Sequence, residues 1–228
     1  MFSDTIVVYN TADLISAHDH EYTVMYLCEF AQDLLNRLIG HNVTFRAVLI
    51  HGSFEHYYLN RVPCFFGSAL IDAYDAEKAI KATGLFMHSS CQAHNRIFPT
   101  TAFDDTWSFV YLTQQMSELE DTYGGELPLP AIVVIDTDMG WFLGPEVLHL
   151  KFVYEQARTH TNQYVRAKYE KTWFFYAQRY PRSIQRLVAA NFALSVVSPA
   201  FPWERLLDRT PEYYSWASRR REVRARGR

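Results

Sequence analysis

Strand-like and helix-like patterns alternate through the first ninety residues, and this alternation restricts the possible folds more than any other feature of the chain. We predict the elements in the order β-α-β-β-α-β, at residues 3–9, 22–38, 44–50, 54–58, 68–80 and 85–87. Glycines mark several boundaries, with Gly40 placed to end the first helix and Gly52 to end the second strand. Such alternation indicates an α/β or α+β sandwich.

The pattern changes in the second half of the 228-residue chain. We predict a strand at Ser108–Leu112, a short helix at Thr113–Thr122 and a buried strand at the apolar run Ala131–Ile135. Beyond Pro145 the chain looks helical, with segments at 146–159, 161–180 and 182–195 and a break at Pro181. We therefore divide the chain into an α/β domain at 1–140, a helical extension at 141–218 and a basic tail at 219–228.

Composition and charge narrow the class of protein. Hydrophobic residues make up 49 % of the chain and aromatic residues 16 %, which excludes wholesale disorder. There is no run of about 18 apolar residues, so we expect no contact with a membrane, and the first residues lack the pattern of a signal peptide, which predicts a cytoplasmic protein. The three cysteines lack a CxxC spacing and are expected to be reduced thiols.

The last ten residues are mostly arginine, although the net charge is −3. Such a tail can contact nucleic acid or an anionic surface, but a solvated chain end explains it more simply, so we expect no nucleic-acid partner. The sequence also lacks a GxxxxGK[ST] loop, a GxGxxG loop, a GxSxG elbow and a HExxH pair. The commonest kinase, dehydrogenase, hydrolase and zinc-protease classes are therefore excluded.

Three short blocks, taken in order, resemble a known family. They are Phe2–Val7, Arg46–Phe54 and Phe66–Leu70, the last followed by Ala73 and Glu77-Lys78. Together they resemble the catalytic domain of class III nucleotidyl cyclases, closest to a divergent bacterial branch that includes the pyrimidine cyclases of anti-phage signalling. The resemblance covers roughly residues 2–90 and implies a ferredoxin-like-derived sandwich whose first strand is missing from this sequence, with the helical extension added.

The resemblance also implies a chemistry. In the family, the 3′ hydroxyl of a nucleoside triphosphate attacks the α-phosphorus and pyrophosphate leaves, an in-line displacement suited to two divalent ions, here Mg²⁺ or Mn²⁺. Two Asp side chains normally hold these ions. Asp4 matches the second of them, and the first would lie on the missing strand. Family sites form from two subunits, so the resemblance implies a homodimer.

Three more residues receive roles from the resemblance. Arg46 and Gly67 match nucleotide-binding positions, and Asp75 matches the catalytic position at which conventional members place an Arg. Ile71 matches a position at which those members carry an Asn that binds ribose, and an Ile side chain cannot form hydrogen bonds. Asp75 and Ile71 thus depart from the conventional pattern, although an acidic residue also occurs in the divergent branch.

Two alternatives stay open on the sequence. The first is a non-catalytic cyclase-like module that binds a nucleotide or forms a dimer, and the second is an unrelated α/β protein. Other polar groups have simple structural explanations. Asp19, within the run His18–Glu21, is expected to cap a helix; His51 and His56 are expected to be ordinary sheet positions; and Asp136 and Asp138 are expected to cap a turn rather than bind a ligand.

Overall fold

The computed structural model describes residues 5–11, 13–135 and 139–203. Within these ranges the helices are α1 Ala17–Leu38, α2 Ser68–Ala79, α3 Ser89–Gln92, α4 Gln114–Asp121, α5 Ala131–Ile135, α6 Met139–Thr159, α7 Gln163–Arg179 and α8 Pro181–Ala189. The strands are β1 Arg46–Leu49, β2 Glu55–Leu59, β3 Val62–Phe66, β4 Gly84–His88, β5 Thr100–Ala102 and β6 Trp107–Val110. A 3₁₀ turn follows at Leu194–Val196. The expected α+β class is confirmed.

A four-stranded mixed sheet lies at the centre, in the order β1-β4-β6-β5. Strands β1 and β4 are parallel, with Arg46 opposite Gly84, and β6 runs antiparallel to both β4 and β5. The connection from β1 to β4 passes through the hairpin β2–β3 and helix α2. This connection therefore returns the chain to the starting edge of the sheet, as parallel strands require.

The two faces of the sheet carry separate apolar clusters because side chains alternate along each strand. Leu85 and Met87 face the cluster that α1 covers, whereas Phe86 faces the other cluster together with Phe109. The second cluster is filled by α2, α4, α6, α7 and α8. The sheet is thus a middle layer between one long helix and a group of helices.

Helix α1 has clear sequence signals at both ends. The Ser16 side chain accepts a hydrogen bond from the Asp19 backbone N–H, and Asp19 Oδ2 accepts one from the Ser16 N–H at 2.8 Å, which forms a capping box. The helix ends at Leu38, and Gly40 follows with φ of 86°, where a residue other than glycine is strained. Asp19 takes part in capping, but as the third residue of the helix, and the N-cap itself is Ser16. The expected stop at Gly40 is confirmed.

The helical half packs directly on the sheet. One apolar cluster contains Phe86 and Phe109 of the sheet together with Leu143 of α6 and Phe175 of α7. The boundary that we placed at residue 140 falls inside α6, and this one cluster draws on residues from both sides of it. The helices at 139–189 agree with the expected helical C-terminal half.

Two expected strands are wrong where the structure describes them. Residues 5–9 of the strand expected at 3–9 have no strand structure, and within the described ranges the sheet has no strand that pairs with them. Residues 131–135 form the helical turn α5, in which the Val133 N–H bonds the Pro130 carbonyl at 3.0 Å and Val134 is buried. A short apolar run does not by itself distinguish a strand from a helix, and among the described residues no strand lies beside this segment to pair with it.

The expected returning strand at 54–58 is present as β2, but it pairs with β3 and stays outside the main sheet. The segment that we treated as a loop, Leu59–Cys64, contains the hairpin turn, with φ of 51° at Asn60 and 68° at Arg61. Helix α6 begins before Pro145 and carries that proline inside it. In the part of the chain that the structure describes, no helix is long and apolar enough to cross a membrane.

Candidate functional site

The junction between β1, the hairpin and α2 is built on Ser53 and Gly67. The Ser53 carbonyl accepts the Ala69 N–H at 3.2 Å, and Ser53 Oγ accepts the Ser68 N–H at 3.1 Å. The two serine hydroxyls are 2.9 Å apart. Ser53 thus caps the first turn of α2 from a distant position in the sequence.

Gly67 is the residue that makes this close approach possible. Its φ is 139°, and a Cβ atom at this position would lie 2.2 Å from the Ser53 carbonyl oxygen. Any other residue would collide with the backbone of Ser53 and would also be strained in φ. The predicted nucleotide-binding Gly67 therefore has a structural requirement of its own.

The N-terminal segment reaches the same junction through Tyr9. The Tyr9 hydroxyl lies 2.8 Å from His56 Nδ1, and its ring contacts Phe54 at a centroid distance of 4.7 Å and Phe65 at 5.9 Å. His56 stacks on Phe65 at 4.8 Å. Tyr9 thus covers part of one face of the hairpin, on which Tyr58 stays 67 % exposed, and His56 belongs to this aromatic cluster.

The other face of the hairpin is an exposed apolar surface, which we name the hairpin patch. The apolar residues of this patch alternate along the strands with the residues that face Tyr9. All four are exposed: Tyr57, Leu59, Val62 and Phe66. On the neighbouring helix α2, Ile71 is 62 % exposed and Tyr74 is 44 % exposed. A two-stranded hairpin with one uncovered apolar face is a typical protein-contact surface.

Asp75 lies on the exposed surface of α2, as does Asp72. The ammonium of Lys78 lies 3.7 Å from the centre of the Tyr74 ring, on the same helix. Asp75 is therefore accessible to a ligand that approaches α2 from solvent, and its role remains a prediction.

Arg46 lies at the other end of this unit. Its Nη1 donates to the Ile80 carbonyl at 2.7 Å, and its Nη2 forms an ion pair with Glu77. These contacts fasten the start of β1 to the end of α2. Helix α2 has 12 residues, so Arg46 and Gly67 are separated by a helix about 18 Å long. The structure does not bring these two predicted nucleotide-binding residues together.

Three histidines meet beyond the carboxyl end of β1. The His20 ring stacks on His94 at a centroid distance of 4.7 Å and meets His51 edge-on at 5.1 Å. The His51 N–H donates to Ser90 Oγ at 3.1 Å, which joins the ends of β1 and β4. Sequence reasoning treated His51 as an ordinary sheet position and missed its contact with His20, because the two residues are distant along the chain.

The metal prediction concerns residues that lie outside this description. Asp4, the predicted metal ligand, falls outside the described residues, as do Asp136 and Asp138. Within residues 5–11, 13–135 and 139–203, no group of three His, Cys, Asp or Glu side chains is placed to hold a metal ion. The three cysteines are free thiols, as expected, and burial raises the pKa of Cys28 to about 12 and that of Cys91 to about 11.

A second polar cluster, which sequence reasoning missed, lies inside the helical half. The buried Glu146 carboxylate accepts the Gln115 N–H at 3.1 Å and the Met116 N–H at 2.7 Å, at the start of α4. Burial nevertheless raises its pKa to about 8. One turn later His149, also buried, lies 3.3 Å from the Tyr176 hydroxyl, and burial lowers its pKa to about 4. The sequence contained one indication of this cluster: Glu146 and His149 are three residues apart, so on a helix they lie on the same face.

These features define an α+β protein with a mixed sheet. The connection between its two parallel strands, β1 and β4, contains an exposed hairpin and helix α2. Comparison of the chain with protein-family models, with curated proteins and with solved structures found no match. The cyclase resemblance therefore rests on the sequence blocks alone.

Proposed function

We propose that this protein is a nucleotidyl cyclase-like homodimer that converts a nucleoside triphosphate to a 3′,5′-cyclic monophosphate and pyrophosphate. One observation supports the proposal: the second and third resembling sequence blocks meet in space, and the segment that follows the first block contacts the second. Ser53 of the second block bonds Ser68 and Ala69 of the third. Tyr9, two residues beyond the first block, contacts Phe54 of the second block.

The proposed substrate site is the solvent-facing surface of α2 and the junction at Gly67. At Gly67 the missing Cβ atom lets the Ser53 backbone close the junction, and Asp75 is exposed on the helix that begins there. The homodimer is proposed to bury the hairpin patch, because exposed apolar surfaces of this kind favour association. Mg²⁺ or Mn²⁺ is the cofactor that the resemblance implies, with Asp4 as its one ligand in this sequence.

The test is a direct assay of the reaction. The purified chain is incubated with Mn²⁺ and each of ATP, GTP, CTP and UTP, and cyclic monophosphates are detected by mass spectrometry. We expect one nucleotide to give product, with loss of product in Asp4→Ala and at least a tenfold fall in Asp75→Ala. Asp72→Ala, which removes a second exposed carboxylate from the same helix, is the matched control and is expected to keep the activity.

A non-catalytic nucleotide-binding or dimerisation module is the second candidate. The exposed Ile71 supports it, because an apolar side chain stands where a ribose-binding group would be wanted. A folded, dimeric sample that binds a nucleoside triphosphate in calorimetry but forms no cyclic product would favour this candidate. A folded sample that neither binds nor converts any of the four nucleotides would contradict both candidates.

A further inference from the structure

The hairpin β2–β3 forms a two-stranded sheet of its own, so each of its strands has one outer edge. Asn60 and Arg61 at its turn both have positive φ, of 51° and 68°, which is the geometry of a two-residue type I′ turn. In such a hairpin the flanking residues, Leu59 and Val62, exchange both of their backbone hydrogen bonds. The alternation of an antiparallel ladder then determines which backbone groups point inward and which point outward along the whole hairpin.

The two outer edges of the hairpin differ in their hydrogen-bonding groups. Counting from the turn, the backbone groups of Tyr58 and His56 point outward from β2, and those of Pro63 and Phe65 point outward from β3. Proline has no N–H, so the edge of β3 lacks a donor at Pro63. The edge of β2 keeps a donor and an acceptor at both outward positions. Among the described residues no other strand pairs with β2, and no further backbone bond engages these groups.

The side chains beside this open edge are exposed on both faces of the hairpin. Tyr57 and Leu59 of the hairpin patch are 48 % and 59 % exposed, and Tyr58 on the opposite face is 67 % exposed. A two-stranded hairpin alone is only marginally stable, and an exposed edge with unpaired backbone groups and apolar side chains is a template for another strand. The open edge of β2 therefore has both the hydrogen-bonding groups and the apolar surface that one more strand requires.

We propose that a second copy of this chain supplies that strand, with β2 of one copy antiparallel to β2 of the other about a two-fold axis at Tyr57. In this register His56 of each copy lies opposite Tyr58 of the other, so all the outward groups of both residues are paired.

Charge complementarity supports a second copy as the partner. Glu55 of one copy lies opposite Leu59 of the other, one diagonal position from Arg61 in the turn of that other copy. Glu55 and Arg61 are both exposed, and within the part of the chain that the structure describes neither forms an ion pair. The two-fold axis creates this contact twice, which makes the strand self-complementary.

This inference rests on the homodimer of the proposed function and specifies its contact. In the paired hairpins Tyr57 of one copy lies beside Tyr57 of the other, and the two hairpin patches join into one apolar face. The pairing does not depend on the cyclase reaction, because no residue assigned to that reaction lies on β2.

Sedimentation velocity on the wild type, Tyr58→Pro and Tyr58→Thr tests the pairing. Both changes remove the same exposed side chain, but only Tyr58→Pro removes the outward N–H. That N–H lies outside the β2–β3 ladder, and Pro63 already occupies the opposite position, so the hairpin is expected to stay folded. We expect the dimer dissociation constant to rise by about tenfold in Tyr58→Pro, which loses one hydrogen bond per copy, and by less than about threefold in Tyr58→Thr. Equal dissociation constants for the two variants would overturn the proposal.

Cross-linking tests the register without a proline substitution. The two copies of Tyr57 form a non-hydrogen-bonded pair with Cα atoms about 4.5 Å apart, within the range that a disulfide spans, so Tyr57→Cys should give a linked dimer with oxidised glutathione. In the control Leu59→Cys the two cysteines are about 13 Å apart along the strands and should not link. Both variants are made in a Cys64→Ser background, because Cys64 lies opposite Tyr57 within the hairpin. Any other pattern of cross-linking would overturn the proposal.

The same proteins separate this inference from the proposed cyclase reaction. Each is also incubated with Mn²⁺ and ATP, GTP, CTP and UTP, and cyclic monophosphates are measured. Linked dimers of Tyr57→Cys without cyclic product from any protein would support the pairing and contradict the reaction. Cyclic product from the wild type, without linked dimers of Tyr57→Cys, would support the reaction and overturn the pairing.

Discussion

The hydroxyl of Thr172 on α7 lies 3.0 Å from the hydroxyl of Thr83, which immediately precedes β4. Both side chains are buried, and Thr172 Oγ1 also accepts the Thr83 N–H at 2.9 Å and lies 3.1 Å from the Thr83 carbonyl. This pair connects the helical half to the sheet through backbone groups that have no water to replace a lost partner.

Thr172→Val should therefore destabilise the protein by about 1–3 kcal/mol, because it keeps the shape but leaves the buried Thr83 N–H without its acceptor. Chemical denaturation gives the free energy of unfolding. Thr159→Val is the control: this exposed threonine bonds only the Glu155 carbonyl of its own helix, so its change should stay within about 0.5 kcal/mol. An equal loss of unfolding free energy in the two variants would show that the contact between Thr83 and Thr172 makes no specific contribution to stability.

Gly67→Ala should destabilise the junction by more than about 2 kcal/mol, because the new Cβ would lie 2.2 Å from the Ser53 carbonyl oxygen at a φ of 139°. Gly52→Ala is the matched control. A Cβ atom at Gly52 meets the Ala69 Cβ at 3.3 Å, so a smaller loss is expected there. Thermal unfolding of the two variants distinguishes the positions, and a tolerated Gly67→Ala would contradict the close approach of the two segments.

The buried pair Glu146 and His149 should give stability a two-part pH dependence. The pKa of Glu146 is raised from 4.5 to about 8 on folding, so between these values the folded state holds a proton that the unfolded state has lost, and stability falls as pH rises. The pKa of His149 is lowered from 6.5 to about 4, so between these values the unfolded state holds the extra proton, and stability rises with pH.

The two effects oppose each other from about pH 4.5 to 6.5, and the Glu146 effect acts alone from 6.5 to 8. Relative to wild type, Glu146→Gln should remove a fall in stability between pH 6.5 and 8. His149→Gln should instead remove a rise in stability between pH 4 and 6.5. Urea denaturation across pH 4 to 9 measures both differences, and parallel curves for wild type and Glu146→Gln would show that Glu146 does not titrate in this window.

The hairpin patch should control self-association. Leu59 and Val62 pair across the hairpin and are each 59 % exposed, so Leu59→Ser/Val62→Ser should weaken a dimer that buries them without disturbing the core. Sedimentation velocity over a range of concentrations measures the effect. Ile132→Ser, a change at an exposed apolar residue of α5, is the control and should leave association unchanged. A wild-type protein that stays monomeric at all concentrations would contradict the dimer.

Much of the first ninety residues could be predicted because local signals there agree with one another. The apolar spacing from Tyr22 and the stop at Gly40 predicted most of α1, although its start at Ala17 after the Ser16 cap was missed, and the apolar run Leu85-Phe86-Met87 predicted β4. The hairpin was only half predicted, since Pro63 and the turn at Asn60 resemble a loop until β2 and β3 are seen to pair.

The side-chain contacts of the candidate site were less predictable than the helices and strands. The sequence identified Gly67 as a special position, but the reason for it is the approach of the Ser53 carbonyl, which is 14 residues away along the chain. It also grouped Arg46 with Gly67, whereas the fold places them at opposite ends of α2, where Arg46 bonds the Ile80 carbonyl, 34 residues later in the sequence. Side-chain partners of this kind depend on packing rather than on local pattern.

The sequence by itself determined that helices lie near 22–38 and 68–80 and that the first of them ends before Gly40, because apolar spacing and glycine act within a few residues. Tertiary structure alone decided that Ala131–Ile135 is a helical turn, that the buried Glu146 carboxyl group reaches the start of α4 and that Thr172 bonds Thr83. A strand needs a neighbouring strand with which to form hydrogen bonds, and a buried carboxyl group needs hydrogen-bond partners. Both come from distant parts of the chain, which only the folded molecule brings together.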